Sequence, residues 1–319
     1  MAEKMKVLIA YDAVNPIEKA INDLKRSGLP KNVEAMVYTV ADAFVPQAVS
    51  YSNIGFPDAE IGYYETMCQD VQTQTEQQLQ QSKQDAKEAA NRLQSAFPEW
   101  KVLSNACVDS PATAILKKAD EWRVDLIVMG SHSKSALARI FLGSVSQKVL
   151  THAKCSVRIV RAQVKENTGP MHILIGMDGS GDSALAVATV AERVWPQGTL
   201  VNVVTGFNLS MSSAIAFHRH MPMEEKATDT KEVGEQAWVQ RMTASSVKKL
   251  KNAGLGVLET VKVGDPWHVL VKEAEDWHAD SIFIGARGLG AVDRFLLGSV
   301  SSSAAARAHC SVEVVRRGN

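Results

Sequence analysis

The chain carries no surplus of either charge: 35 lysines and arginines balance 35 aspartates and glutamates over 319 residues. A chain balanced in this way has no global field to draw it to nucleic acid or to an anionic membrane, so neither is expected as a partner. No apolar run approaches the roughly 18–20 residues that span a bilayer. The N-terminal stretch MAEKMKVLIAYD runs straight into a strand-like segment, so no signal peptide is expected. Cysteine is scarce. Cys68, Cys107, Cys155 and Cys310 lie far apart with no CxxC pair, which argues against a disulfide framework or a zinc site and for reduced thiols in a cytoplasmic protein. Two nucleotide motifs are also missing. No GxGxxG follows the first strand, which argues against a dinucleotide oxidoreductase, and no GxxxxGK[ST] marks a P-loop.

What is present suits a folded, water-soluble protein of about two domains, with 45% hydrophobic and 22% charged residues. The dominant feature is self-similarity. DSPATAILKKADEWRVDLIVMGSHSKSALARIFLGSVSQ from Asp109 matches GDPWHVLVKEAEDWHADSIFIGARGLGAVDRFLLGSVSS from Gly264, and Pro111/Pro266, Trp122/Trp277, Gly130/Gly285, Gly143/Gly298 and Cys155/Cys310 all keep an offset of 155. Upstream, KVLIAYD ending at Asp12 matches HILIGMD ending at Asp178 with an offset of 166. So many matches at fixed spacing mean a duplication. The repeats are expected at 1–161 and 171–319, joined by a polar linker over 162–170 that ends in Gly-Pro.

Each repeat alternates short aliphatic runs with helical stretches. The predicted strands are Lys6–Tyr11, Val33–Val40, Lys101–Cys107, Asp125–Met129 and Ser156–Val160, then His172–Met177, Leu200–Val204, Gly256–Val263, Ser281–Ile284 and Ser311–Val315. The clearest helix is Gln69–Phe97, with Leu79, Ala86, Ala90, Leu93 and Phe97 on one stripe and Pro98 as the stop. Such alternation implies an α/β fold with a parallel sheet covered by helices on both faces.

Ligands of such sheets sit beyond the carboxyl ends of the strands, where the strand order reverses. There the second repeat places Asp178 at the end of its first strand, and the loop Gly285-Ala-Arg-Gly288 with Gly298-Ser299 nine residues on. Glycines let backbone N–H groups approach phosphate oxygens, and a helix opening at Ser299 adds its positive end. Ser299 is read as either the cap of that helix or a phosphate donor, and Arg287 and Arg294 as cations for the phosphates. Glycines serving only as turn and cap residues are the plainer reading.

The pattern G-x2-G-x9-G-S after a DLIVMG-type strand, with an aspartate closing the first strand, resembles the ATP-binding branch of the universal stress protein family, once per repeat. The resemblance implies two tandem five-stranded parallel domains of Rossmann-like order 3-2-1-4-5, paired through their last strands as an intramolecular pseudo-dimer. It implies ATP or AMP as ligand, with or without Mg2+. The implied site is Met177, Asp178, Gly179, Val203 (main-chain contact with adenine), Ile284, Gly285, Arg287, Gly288, Gly298, Ser299, Val300 and Ser301. The first-repeat counterparts are Asp12, Val40, Gly130, Ser133, Gly143, Ser144, Val145 and Ser146.

That first copy departs from the motif. Ser133 replaces the second loop glycine, Asp12 is followed by Ala13-Val14 where Asp178 has Gly179-Ser180, and Asp109 stands where Gly264 precedes the third helix. If the second loop position needs positive φ, serine costs about 1 kcal/mol or more there, and its Cβ would also obstruct a phosphate. The second repeat is therefore expected to hold the better site.

Other signals are weaker. DGSGDS over 178–183 is only superficially similar to the SGGxDS loop of ATP pyrophosphatases, because its first glycine is displaced. His218, His220 and nearby methionines could hold a late metal, but a surface loop is the preferred reading. His132 is read as a loop residue, the aromatics Tyr51, Phe56, Tyr63 and Tyr64 as packing over the domain or a neighbour, and Trp122 and Trp277 as packing residues. No nucleophile–base pair is placed at the site. The expected function is thus a nucleotide-binding stress-response regulator with slow or no ATP turnover. The alternatives are a nucleotide-free interaction module and a weak ATPase or autokinase. Self-association into a four-domain dimer and a further protein partner are also expected.

Overall fold

A computed structural model describes residues 4–42, 58–131, 142–161, 169–207, 231–288 and 297–317. The strands of the first repeat are β1 (Met5–Tyr11), β2 (Val33–Ala41), β3 (Lys101–Val108), β4 (Leu126–Gly130) and β5 (Ser156–Val160). Those of the second are β6 (His172–Gly176), β7 (Leu200–Phe207), β8 (Gly256–Val263), β9 (Ser281–Gly285) and β10 (Ser311–Val315). The helices are α1 (Ile17–Lys25), α2 (Asp58–Ala96), α3 (Pro111–Trp122), α4 (Ser144–His152), α5 (Gly181–Glu192), α6 (Lys231–Asn252), α7 (Pro266–Asp276) and α8 (Ser299–Arg307).

All ten strands form one sheet in the order β3-β2-β1-β4-β5-β10-β9-β6-β7-β8. Each half is parallel with the order 3-2-1-4-5, and the halves join by antiparallel pairing of β5 with β10, Val157 opposite Val314 and Ile159 opposite Val312. An unpaired strand edge is a liability, and here each repeat covers the edge of the other. The central strands are aliphatic because both their faces are covered: Val7, Leu8 and Ile9 in β1 and Ile173, Leu174 and Ile175 in β6 are at most 2% exposed. On one face, α3, α4, α7 and α8 pack into a single core shared by both repeats. On the other, α1 and α2 cover the first half, and α5 with Leu250 of α6 covers the second, each over its own core.

At the junction a charged pair sits where the strand runs are otherwise apolar. Arg158 of β5 lies opposite Glu313 of β10, and both are fully buried. The Arg158 guanidinium donates to Asp23 of α1 at 2.6 and 3.0 Å and to Ser281 Oγ at 3.0 Å, with Glu313 at 3.3 Å. Arg193, at the end of α5, pairs with Glu313 and donates to the Ser27 carbonyl at 2.8 Å. Burial opposes the charge on Arg158, but Asp23 and Glu313 outweigh it and raise its pKa. Two cations against two anions leave the cluster neutral, which is what makes its burial tolerable.

Helix α2 begins at Asp58, earlier than the expected Gln69, and ends at Ala96 before Pro98. Within it Ala86, Ala90 and Leu93 are buried as the stripe predicted, joined by Ala89. Strand β7 runs on to Phe207, beyond the expected Val204, because its ladder with β8 continues through Gly206 to Phe207 opposite Val263.

Candidate functional site

A cavity of about 550 Å³ opens at the carboxyl ends of β6, β7 and β9, where the strand order of the second repeat reverses. Its apolar wall is Met177, Val204, Pro266, Leu270, Ile284 and Leu297, and its more polar side holds Asp178, Ser183, Arg287, Gly288 and the first turn of α8.

The loop after β6 turns sharply because Gly179 takes φ 81°, and the Asp178 carboxylate accepts the Ser180 N–H at 2.9 Å. Ser180 then caps α5, its hydroxyl accepting the Ser183 N–H at 3.1 Å. That early helix start brings α5 against the end of β9. A Cβ on Gly285 would lie 2.5 Å from the Asp182 carbonyl carbon and 2.7 Å from the Ser183 nitrogen, so glycine is required there by space. At Gly288 a Cβ would lie 2.7 Å from Asp178 Oδ2. Gly288 is not among the residues with positive φ. The condition of positive φ is therefore not met at this position, and the obstacle to a Cβ is the end of the Asp178 side chain, which can turn aside.

Three further expectations change. Gly298, not Ser299, is the N-cap of α8; Ser299 is its first helical residue and is exposed, because the preceding backbone is still extended at Gly298 (φ −65°, ψ 149°). Arg287 does line the cavity, but its guanidinium holds Asp182 at 2.8 and 3.1 Å, and this pairing raises its pKa. Its charge is therefore already met by a carboxylate. Ser301 directs its hydroxyl to the Gly285 carbonyl at 2.6 Å, tying α8 to β9 and not reaching out as a free donor.

The cavity thus gathers Met177, Asp178, Ile284, Gly285, Arg287, Gly288, Gly298, Ser299, Val300 and Ser301. Gly179 and Val203 do not line it. The Val203 side chain is 1% exposed and packs in the core on the opposite face of the sheet, since side chains alternate along a strand, which leaves only its main chain for the contact with adenine that the resemblance implies. The neighbours two apart on the other face, Val204 and Gly206, form the β7 wall. Gly176, Ser183, Val204, Gly206, Pro266, Leu270 and Leu297 were absent from the sequence-based set. Period-two alternation from Val204 to Gly206 was the available signal for two of them.

The first repeat repeats the frame. Asp12 follows β1 and accepts the N–H groups of Val14 and Asn15 at 3.2 and 3.1 Å; Val40 lies in β2 but matches Gly206, Val37 being the counterpart of Val203, and Gly130 ends β4. Gly143 caps α4, Ser144 and Val145 open it, and Ser146 donates to the Gly130 carbonyl at 2.9 Å, as Ser301 does to Gly285. A Cβ on Gly130, however, would meet nothing within 4 Å among the described residues. Ser133, His132, Arg294, His218, His220, Tyr51 and Phe56 lie outside the described residues, as do the side chains of Tyr63 and Tyr64. Trp122 and Trp277 pack against the shared core, and Trp277 also stacks on His172. Among the described residues no cluster of three or more His, Cys, Asp or Glu is arranged to hold a metal, and no helix is long and apolar enough to cross a membrane. Cys107, Cys155 and Cys310 are free thiols, and burial pushes Cys155 and Cys310 up to about 12.

Comparison with known proteins agrees with this architecture. The model of the universal stress protein family matches residues 5–161 and again residues 170–316. A universal stress protein of Methanocaldococcus jannaschii is 36% identical over 86 residues, which are 26% of this chain and 51% of that protein, so the match spans about half of that relative's length. One from Mycobacterium bovis is 25% identical over 235 residues, 73% of this chain and 75% of that protein. The crystal structure of a universal stress protein from Archaeoglobus fulgidus covers 98% of this chain and 97% of its own at TM-score 0.57 and 20% identity, a likeness that shows the fold. With a match in each half, one continuous sheet and a shared strand order, the chain belongs to the universal stress protein family, as two copies of its domain in tandem.

Proposed function

We propose that this protein is a stress-response regulator whose second repeat binds an adenine nucleotide, ATP or AMP. The observation that carries this reading is the division of the 550 Å³ cavity: an apolar wall of Val204, Leu270 and Ile284 on one side, Gly288 and the amino end of α8 on the other. An apolar slot suits a base. The first-turn N–H groups of a helix lack intrahelical acceptors and sit at the positive end of its dipole, which suits phosphate. Because Arg287 is engaged by Asp182, the groups assigned to phosphate among the described residues are backbone N–H groups. Asp178 is the one carboxylate among the described lining residues. It would repel bare phosphate, so it is assigned to a ribose hydroxyl or to Mg2+, which is held by one or two carboxylates together with phosphate oxygens.

The described lining contains no histidine or cysteine, so binding, and not turnover, is the role this chemistry supports best. Any pairing of two chains into a four-domain assembly is assigned to another surface, since the β5 and β10 edges already satisfy each other.

The test is to purify the protein without added nucleotide, denature it and identify released small molecules by mass spectrometry, then titrate the emptied protein with ATP and AMP. Bound adenine nucleotide that is lost in Gly288→Val is the expected result. No release and no binding on titration would replace this reading with that of a protein-interaction module.

A further inference from the structure

The two clefts can be compared position by position. The ladder pairs Ala10 with Tyr38 as it pairs Gly176 with Val204, and Val40 with Cys107 as Gly206 with Lys262. Ala10, Tyr38 and Val40 are therefore the counterparts of Gly176, Val204 and Gly206, three residues of the cavity wall in the second repeat. Every one of the three is larger in the first. The greatest change is Tyr38, which lies on the face of β2 that corresponds to the cavity face of β7; it is 4% exposed and Val204 is fully buried, so the repeats differ in the volume placed there and not in burial. It packs in the same core as Ile115 and Met129, the counterparts of the cavity residues Leu270 and Ile284. The phenol is satisfied in place: its oxygen is 2.9 Å from Cys107 Sγ, and the Lys118 ammonium lies 6.0 Å from the ring centroid. Burial, reinforced by Cys107, raises the phenol's pKa, so the ring remains neutral and apolar there.

We infer that the first repeat's cleft is closed from within, Tyr38 filling the apolar end that the second repeat leaves open for a base, so that the chain takes up one nucleotide and not two. This inference rests on the nucleotide reading of the second repeat. It moves the main difference between the repeats from the glycine loop to the floor of the cleft, where an aromatic side chain already supplies the packing that a base would provide.

Equilibrium dialysis of the full chain, freed of small molecules, against ATP and against AMP tests it. The wild type is compared with Val204→Tyr and with the double variant Tyr38→Val/Val40→Gly. One equivalent is expected on the wild type, none on a Val204→Tyr chain whose unliganded melting temperature is preserved, and a second equivalent on the double variant. Two equivalents on the wild type, or Val204→Tyr binding within twofold of it, would overturn the inference while leaving the nucleotide reading intact. A folded double variant that stays at one equivalent would overturn it as well. None on the wild type would sink the nucleotide reading and this inference together. Should neither replacement be tolerated, Val204 being fully buried in the shared core, the stoichiometry of the wild type decides alone: one equivalent keeps the inference and two overturn it.

Discussion

The two repeats share strand order, an aspartate turn after the first strand and a serine that ties the helix after the glycine loop to the strand before it. They differ in how that frame is filled. In the second, Gly179 and Ser180 start α5 at Gly181 and press it against Gly285; in the first, Ala13 and Pro16 delay α1 to Ile17 and no described residue crowds Gly130. In the second, Val204 and Gly206 leave a cavity beside Leu270; in the first, Tyr38 and Val40 occupy the matched places. The difference shows that a duplicated site can keep its signature aspartate and first loop glycine while its interior is refilled.

Duplication has also freed the junction from symmetry. Arg158 and Glu313 are matched positions that face each other across the β5–β10 pairing. In a dimer of identical domains the same residue would meet itself there, and two buried like charges would repel. Held in one chain, the pair is complementary.

The largest expected effect comes from that junction. Arg158→Met leaves Asp23 and Glu313 buried with only Arg193 to offset them, and should destabilise the protein by about 3–5 kcal/mol in urea unfolding. Near-wild-type stability would mean that the asymmetry of the junction is incidental. Next, Gly285→Ala forces a Cβ into the α5 backbone while Gly130→Ala meets nothing within 4 Å among the described residues. The first should cost about 1–3 kcal/mol and the second stay within about 0.5 kcal/mol. Equal costs in chemical denaturation would erase the packing difference between the two loops.

Ser180→Ala removes the α5 cap, for which Pro16 of α1 has no side-chain equivalent. A loss of about 1 kcal/mol is expected, read as a lower melting temperature. Smallest is the exchange at the turn, where Ala13 sits at φ 57° and Gly179 at φ 81°. Ala13→Gly should stabilise by a few tenths of a kcal/mol, since relief of the left-handed strain is mostly offset by the freer unfolded chain. Gly179→Ala should cost a few tenths of a kcal/mol on the same ground, and more to the extent that Met242, whose Sδ would lie 2.5 Å from the new Cβ, must turn aside. Calorimetry showing the same sign for both would refute the conformational argument.

Much of this was legible in the residues. Strands such as Val33–Ala41 and Ser156–Val160 read as strands because strands covered on both faces must be aliphatic. Asp178, Gly285, Gly288 and Gly298 read as a site because glycine spacing reports where backbone must come close. Gly206 and Val204 were hidden because a glycine within a strand weakens its propensity, and the predicted strand stopped at Val204. Arg287 was read as a phosphate partner because sequence shows its charge but not Asp182, 105 positions earlier, which claims it.

The sequence by itself determined the duplication, the alternation of strands and helices and the position of the glycine loop, since these depend on periodicity and local backbone preference. Only the tertiary structure decided that the second repeat opens a cavity at its strand ends, that Asp182 claims Arg287, and that Arg158 answers Asp23 and Glu313. Each of these depends on volume and charge contributed by segments far apart in the chain, and such sums exist only once the chain has folded.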